Sequence, residues 1–197
     1  MWQCDEHMAA NLTRRVSGNR CMKFHPTPLA DACLVELEAL RDERGAFART
    51  FCVREFAAHD LETVFVQHSA STTTLAGTVR GMHFQREPHG EAKLVRCVRG
   101  AVFDVMVDLR PASPTYLRWA GFELSADNGR QLFIPNGFAH GFQTLTDDVE
   151  LSYLISATYL PEASAGHRYD DPAFGIAWPR QVSVIADKDL AWPAFVP

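Results

Sequence analysis

From Met22 onward, the apolar positions of this chain fall in short runs cut by Gly, Pro, Asn and Asp, and no long stretch keeps a 3.6-residue period. That punctuation predicts an all-β domain made of many short strands. The candidate strands are ACLVELEAL, TVFVQHSA, GTVRGMHF, KLVRCVRG, AVFDVMVDL, LRWAGFEL, RQLFIP, GFQTLT and VELSYLISATY. In AVFDVMVDLR, apolar Val102, Phe103, Val105 and Val107 alternate imperfectly with Asp104 and Asp108, as expected of a strand covered on both faces. Gly100 stands where a tight connection between two strands needs a residue free to adopt positive φ. A short amphipathic helix is predicted at VREFAAHDL, residues 53–61. The first 21 residues, MWQCDEHMAANLTRRVSGNRC, keep no period and read as an N-terminal extension ahead of a single domain spanning 22–197.

Composition narrows the function classes. With 47% hydrophobic residues in 197, the chain can bury a full core, which excludes general disorder. A formal charge of −5 argues against sequence-independent nucleic-acid binding, so an anionic ligand must be held by a local cluster of cations. No 18-residue apolar run and no basic-then-apolar leader appear, and the expectation is a cytoplasmic protein with no membrane partner. Cys4, Cys21, Cys33, Cys52 and Cys97 are odd in number and lack a CxxC pair, and they read as reduced, mostly structural thiols.

The polar residues that interrupt the strands carry the candidate chemistry. GTVRGMHFQREPHGEAKLVRCVRGAVFDVMVDL places Arg80, His83, Gln85, His89 and Lys93 among apolar strand positions. Either these are metal ligands, or they are a base and a set of charges around an anionic substrate. Further on, GRQLFIPNGFAHGF spaces Gly129, Pro135, Gly137 and His140 as G-x5-P-x-G-x2-H, the second motif of the cupin jelly-roll barrel. Pro135 and Gly137 suit a turn between barrel strands, with His140 opening the return strand in the barrel mouth. A lone histidine there is otherwise read as a hydrogen-bonded core residue. Metal-binding cupins use an HxH pair, but here the pair is His83 and Gln85, leaving His83, His140 and one of His89 or Glu91, a set short of imidazole ligands.

Taken together, RDERGAF at 41–47, RGMHFQ at 80–85, KLVRCVRGAVFDVMVDLR at 93–110, SPTYLRW at 113–119, IPNGFAHGF, SYLISATYLPE at 152–162 and DDPAFGIAWP at 170–179 resemble the dTDP-4-dehydrorhamnose 3,5-epimerase family in order and spacing. The resemblance runs from about Met22 to the C-terminus. It implies a cupin-type jelly roll free of metal and cofactor, usually a homodimer with shared sites. It also implies inversion of the carbons flanking the C4 ketone of a nucleotide-linked 6-deoxyhexose. Its base corresponds to His83, oriented by Asp189. Its proton donor on the opposite face corresponds to Tyr153. Lys93 corresponds to the lysine placed near the developing enolate oxygen, where a cation acts strongly on new negative charge. Arg44 and Arg80 resemble diphosphate-binding arginines, with Gln67, Gln85 and His140 in support, and Phe47 and Tyr159 resemble residues that lie along the base and diphosphate. Arg44 and Phe47 belong to a segment that in this family reaches into the partner subunit.

Two departures bear on the substrate. Arg49 stands where relatives carry a glutamate facing thymine, exchanging an acceptor for a donor and opening the possibility of another base such as cytosine. Ser69 and Ala70 lie near a position that carries asparagine in relatives. Inversion at only one of the two carbons stays an alternative, and so do a ketoisomerase or dehydratase of the same barrel, a sugar-nucleotide binder without turnover, and a metal-dependent dioxygenase.

Overall fold

The computed structural model describes residues 22–196. Two antiparallel sheets face each other. The first has the order β1 (Lys23–Pro26), β2 (Cys33–Glu36), β10 (Arg130–Ile134), β7 (Lys93–Arg99), β12 (Val149–Ile155) and β5 (Gln67–Thr73). The second has the order β13 (Ser164–Gly166), β6 (Val79–Gln85), β11 (Phe138–Thr144), β8 (Ala101–Asp108) and β9 (Trp119–Ser125). A separate hairpin joins β3 (Leu40–Asp42) to β4 (Gly45–Phe47), and the helices are the short α1 (Val53–Ala57) and α2 (Asp187–Leu190). This is the expected all-β jelly roll with little helix. The extension at residues 1–21 lies outside the described residues, as do Cys4 and Cys21.

The imperfect alternation of the strands has a direct cause in three apolar layers. Between the sheets lie Val95, Val102, Met106, Leu132, Phe142 and Leu151. Outside the six-stranded sheet, Val35, Leu94 and Phe133 pack against Phe56 of α1, which Phe51 and Phe65 also meet edge-on. Outside the five-stranded sheet, Met82, Val105, Val107 and Ala139 are covered by Phe174, with Trp178 and Phe195 of the C-terminal segment beside them. Both faces of the central strands are thus covered, so Leu94 and Val95 are buried though adjacent, while β1 and most of β5 at the edges stay exposed. The two aspartates of β8 are fully buried, and each has a partner. Asp108 accepts from Arg110, Ser113 and Thr115. Burial pushes its carboxyl up, but these donors outweigh burial and hold it at about 2.

Several elements differ from the sequence expectation. The strand read from TVFVQHSA begins only at Gln67, and Val64 and Val66 ahead of it are exposed. ACLVELEAL splits into β2 and the start of the β3–β4 hairpin, and the helix at 53–61 is one turn of five residues. Gly100, at φ 74°, does sit between two strands, yet β7 and β8 belong to different sheets, so it makes a corner and not a hairpin. The turn at Pro135 and Gly137 likewise carries the chain from β10 in one sheet to β11 in the other.

A bulge sets the geometry of β6 against β11. His140 pairs with His83 and Phe142 with Arg80, so Gly81 and Met82 together oppose Gly141 alone. The two glycines nearly touch: a Cβ on Gly81 would lie 2.6 Å from the Gly141 Cα, and one on Gly141 would lie 2.9 Å from the Arg80 carbonyl oxygen. Replacing Gly141 with valine is expected to destabilise the fold by roughly 1–3 kcal/mol through overpacking. Thermal melts read this directly, at about 2–4 °C per kcal/mol for a domain of this size. A melt unchanged within a degree would refute the close approach as a structural requirement.

Candidate active site

β6 carries the first half of the site. The bulge at Gly81 directs its N–H to the Asp189 Oδ2, at 3.2 Å, while the other carboxylate oxygen accepts from His83 Nε2 at 2.7 Å. Asp189 comes from α2, the turn near the C-terminus, and it is buried. Burial pushes its carboxyl up, but the His83 hydrogen bond and charge, the Gly81 amide and the Trp192 indole N–H hold it below the usual carboxylate range. An ionised Asp189 therefore accepts the Nε2 proton, which leaves Nδ1 as the ring nitrogen not committed to the carboxylate.

The second half comes from the facing sheet. Tyr153 of β12 is half-buried, and desolvation of its phenol and the nearby Asp104 charge push the phenol far up, only partly opposed by Arg80 and a Ser71 hydrogen bond. A phenol so placed stays protonated and can only give its proton away. Lys93, at the start of β7, is nearly buried and pairs with Glu91 at 2.9 Å. His83, Tyr153 and Lys93 all line one cavity of 390 Å³ between the sheets, together with Arg80, Gln67 and Tyr159. Arg80 is held in place by bonds from its Nε to the Thr73 hydroxyl and from Nη2 to the Thr72 carbonyl. Gln67 accepts from the Tyr159 amide, and the Tyr159 ring is half exposed at the rim.

Other expected site residues line the cavity with partners of their own or lie away from it. Gln85 lines the cavity, and its amide also braces the fold: its nitrogen donates to the carbonyls of His89 and Thr158 and to Glu91, and its oxygen accepts from Leu160. His140, read from the sequence as a helper at the diphosphate, is buried and spends Nε2 on Asp104 at 3.0 Å, with its ring 6.2 Å edge-on from Tyr153. It stands beside the acid. Arg44 is paired with Asp42 of its own hairpin, Phe47 is 74% exposed, and the half-buried Arg49 bonds Glu55 at 2.8 Å. None of these three reaches the cavity within the chain.

The would-be metal ligands are each engaged separately, His83 with Asp189, His140 with Asp104 and Glu91 with Lys93. Among the described residues, no three such side chains gather at one point. Sequence reasoning missed Asp104, Ser71, Lys188 and Trp192. Asp104 had a signal, a charge in a strand buried on both faces. Lys188, which lines the cavity beside Asp189, had only its neighbour. Ser71 and Trp192 had none, because their contacts depend on strand pairing and on the path of the C-terminal segment.

A jelly roll whose cavity is lined by a carboxylate-paired histidine on one sheet and by a tyrosine and a lysine on the other has the form of a cupin-type sugar epimerase. A family model described as dTDP-4-dehydrorhamnose 3,5-epimerase matches residues 26–196. The chain belongs to that family, whose members are carbohydrate epimerases of deoxysugar biosynthesis. The dTDP-4-dehydrorhamnose 3,5-epimerase of Sinorhizobium fredii is 44% identical over 174 residues, covering 88% of this chain and 89% of that protein. The solved structure of the Bacillus anthracis enzyme, with TDP and pyrophosphate bound, superposes with a TM-score of 0.86 at 38% identity, over 89% of this chain and all of that one. A dTDP-4-dehydrorhamnose 3-epimerase of Streptomyces niveus is 36% identical, covering 85% of this chain and 81% of that protein.

Proposed function

We propose that this chain epimerises a nucleoside-diphosphate-linked 4-keto-6-deoxyhexose, with dTDP as the carrier, at carbons flanking the ketone. The supporting observation is the placement of base and acid on facing sheets of one cavity. His83 removes a C–H proton next to the ketone and Asp189 steadies the imidazolium that results. The Lys93 ammonium stabilises the enolate oxygen. Tyr153 delivers a proton to the other face, and its buried phenol is suited to that step. Arg80 and Lys188, the cations at the cavity's edge, take the diphosphate, with Gln67 and Tyr159 along the nucleotide. The likeness to a structure with TDP and pyrophosphate bound supports this class of ligand.

The chain acts as a homodimer in this reading. The β3–β4 hairpin carries exposed Leu40 and Phe47, apolar surface suited to a partner, and it presents Arg44 and Phe47 to the other subunit's cavity. Arg49 reaches the base only by leaving Glu55. Cys33, Cys52 and Cys97 are free, in keeping with a reducing cytoplasm, and no helix among the described residues is long and apolar enough to cross a membrane.

Solvent exchange tests the proposal. Given the dTDP- and CDP-linked 4-keto-6-deoxyglucose in D2O, the protein is expected to place deuterium at C3, C5 or both, faster with dTDP, as read by NMR. Label at a single carbon would mark a relative of the Streptomyces niveus type. No label with either nucleotide would overturn the assignment of substrate class.

A further inference from the structure

We propose that Glu91 is a positioning residue that fixes the Lys93 ammonium over the reacting carbonyl, an inference that rests on the epimerase reading above. The site is built to receive an anion, with Arg80, Lys93 and Lys188 lining the cavity, yet Glu91 lines the same cavity. A carboxylate facing a diphosphate sugar costs binding unless its charge is matched. Here it is matched at short range: Glu91 Oε1 lies 2.9 Å from Lys93 Nζ, and the two side chains are only 10% and 12% exposed.

The other oxygen is held as well. Glu91 Oε2 accepts from Gln85 Nε2 at 3.2 Å, and the Gln85 amide is anchored to the backbone at His89, Thr158 and Leu160. A chain of hydrogen bonds therefore runs from two backbone segments, at His89 and at Thr158 and Leu160, through Gln85 and Glu91 to the ammonium. Lysine needs such support more than arginine does, since its charge sits on a flexible four-carbon stem with no preferred fork geometry. An electrophile must be fixed where the enolate oxygen will form, because a donor that first has to reorganise loses most of its effect on the transition state. Glu91 makes the ammonium a fixed charge, and by occupying one of its three donors it leaves the others for the substrate. This also accounts for Gln85, which lines the cavity with its amide nitrogen spent on Glu91 and the backbone.

The test compares Glu91→Gln with the wild type by two readouts. In protein labelled with 15N-lysine, the Lys93 ammonium is expected to give a solvent-protected 1H–15N signal, lost in Glu91→Gln while the thermal melt is unchanged. Steady-state kinetics are expected to show kcat lowered about tenfold with KM within twofold, a partial loss of the effect of one electrostatic donor. In a Lys93→Met background the same substitution is expected to change the rate by less than twofold, because the pair acts as one unit. Glu91→Asp, which keeps the charge but shortens the reach, serves as a second variant if Glu91→Gln folds poorly, with an intermediate kcat expected. A protected ammonium signal and unchanged kcat in Glu91→Gln would overturn the proposal, and so would a loss confined to KM or one fully additive with Lys93→Met. If the wild type exchanges no deuterium, the epimerase reading falls, while the ammonium signal still decides whether Glu91 holds Lys93.

Discussion

Changing His83 to alanine should lower deuterium exchange at both carbons by about 10³-fold or more, at the upper part of the range for a general base. The size follows from how the base is built. His83 Nε2 is committed to Asp189, which is only 6% exposed as a side chain and is held from a second direction by the Gly81 amide. The other histidine of the cavity, His140, is paired with Asp104, but that pair is fully buried in the sheet and its ring packs edge-on against Tyr153, whereas His83 is 40% exposed as a side chain. Asp189→Asn should cost nearly as much with KM little changed, because an amide offers Nε2 a donor and moves the imidazole proton to the nitrogen that must accept. Exchange measured by NMR, with melts as a folding control, decides the matter. His83→Ala retaining a tenth of wild-type exchange would remove His83 from the role of base.

Tyr153→Phe should separate two events that the wild type couples. Removing the C–H proton and returning deuterium from the His83 side needs no phenol, so exchange with retention continues. Inversion needs a proton from the opposite face and should fall by about 10²–10³-fold, the usual contribution of a positioned acid. Burial keeps the phenol protonated, so this loss should be flat across neutral pH and should not track an ionisation of Tyr153. Product stereochemistry by NMR, scored beside deuterium content, distinguishes the two events. Inversion at full rate in Tyr153→Phe would mean that the second face is protonated by another group or by water.

Much of this architecture was readable in the chain, for reasons that differ by element. KLVRCVRG and AVFDVMVDL are strands because each side chain in them meets a packed layer, and that pressure is written into the residues themselves. The spacing from Gly129 to His140 marks a turn whose constraints are local, so it was equally plain. TVFVQHSA misled because Val64 and Val66 have strand-like side chains that are exposed rather than packed, and the regular ladder to β12 begins only at Gln67. In the site, His83, Asp189, Tyr153 and Lys93 came from matched motifs, and the convergence of His83, Tyr153 and Lys93 on one cavity, with Asp189 behind His83, is a tertiary fact. Gln85 and His140 have the right chemistry for ligand contact, but the Gln85 amide nitrogen also serves Glu91 and the backbone, and His140 Nε2 serves Asp104. A commitment such as that of His140 to Asp104, 36 positions away, leaves no trace in spacing.

His83 belongs to one sheet and Tyr153 to the other, so the separation between them is set by the filling between the sheets. Val95, Met106, Leu132 and Phe142 supply that filling, and none of them is a proton-transfer group. A methylene gained or lost there moves the two sheets as bodies, since tightly packed interiors pass strain on rather than absorb it. The stereochemical outcome is therefore open to drift through neutral-looking changes in the core. Two descendants with identical catalytic side chains could come to make different sugars, and comparing their active-site residues alone would not reveal why.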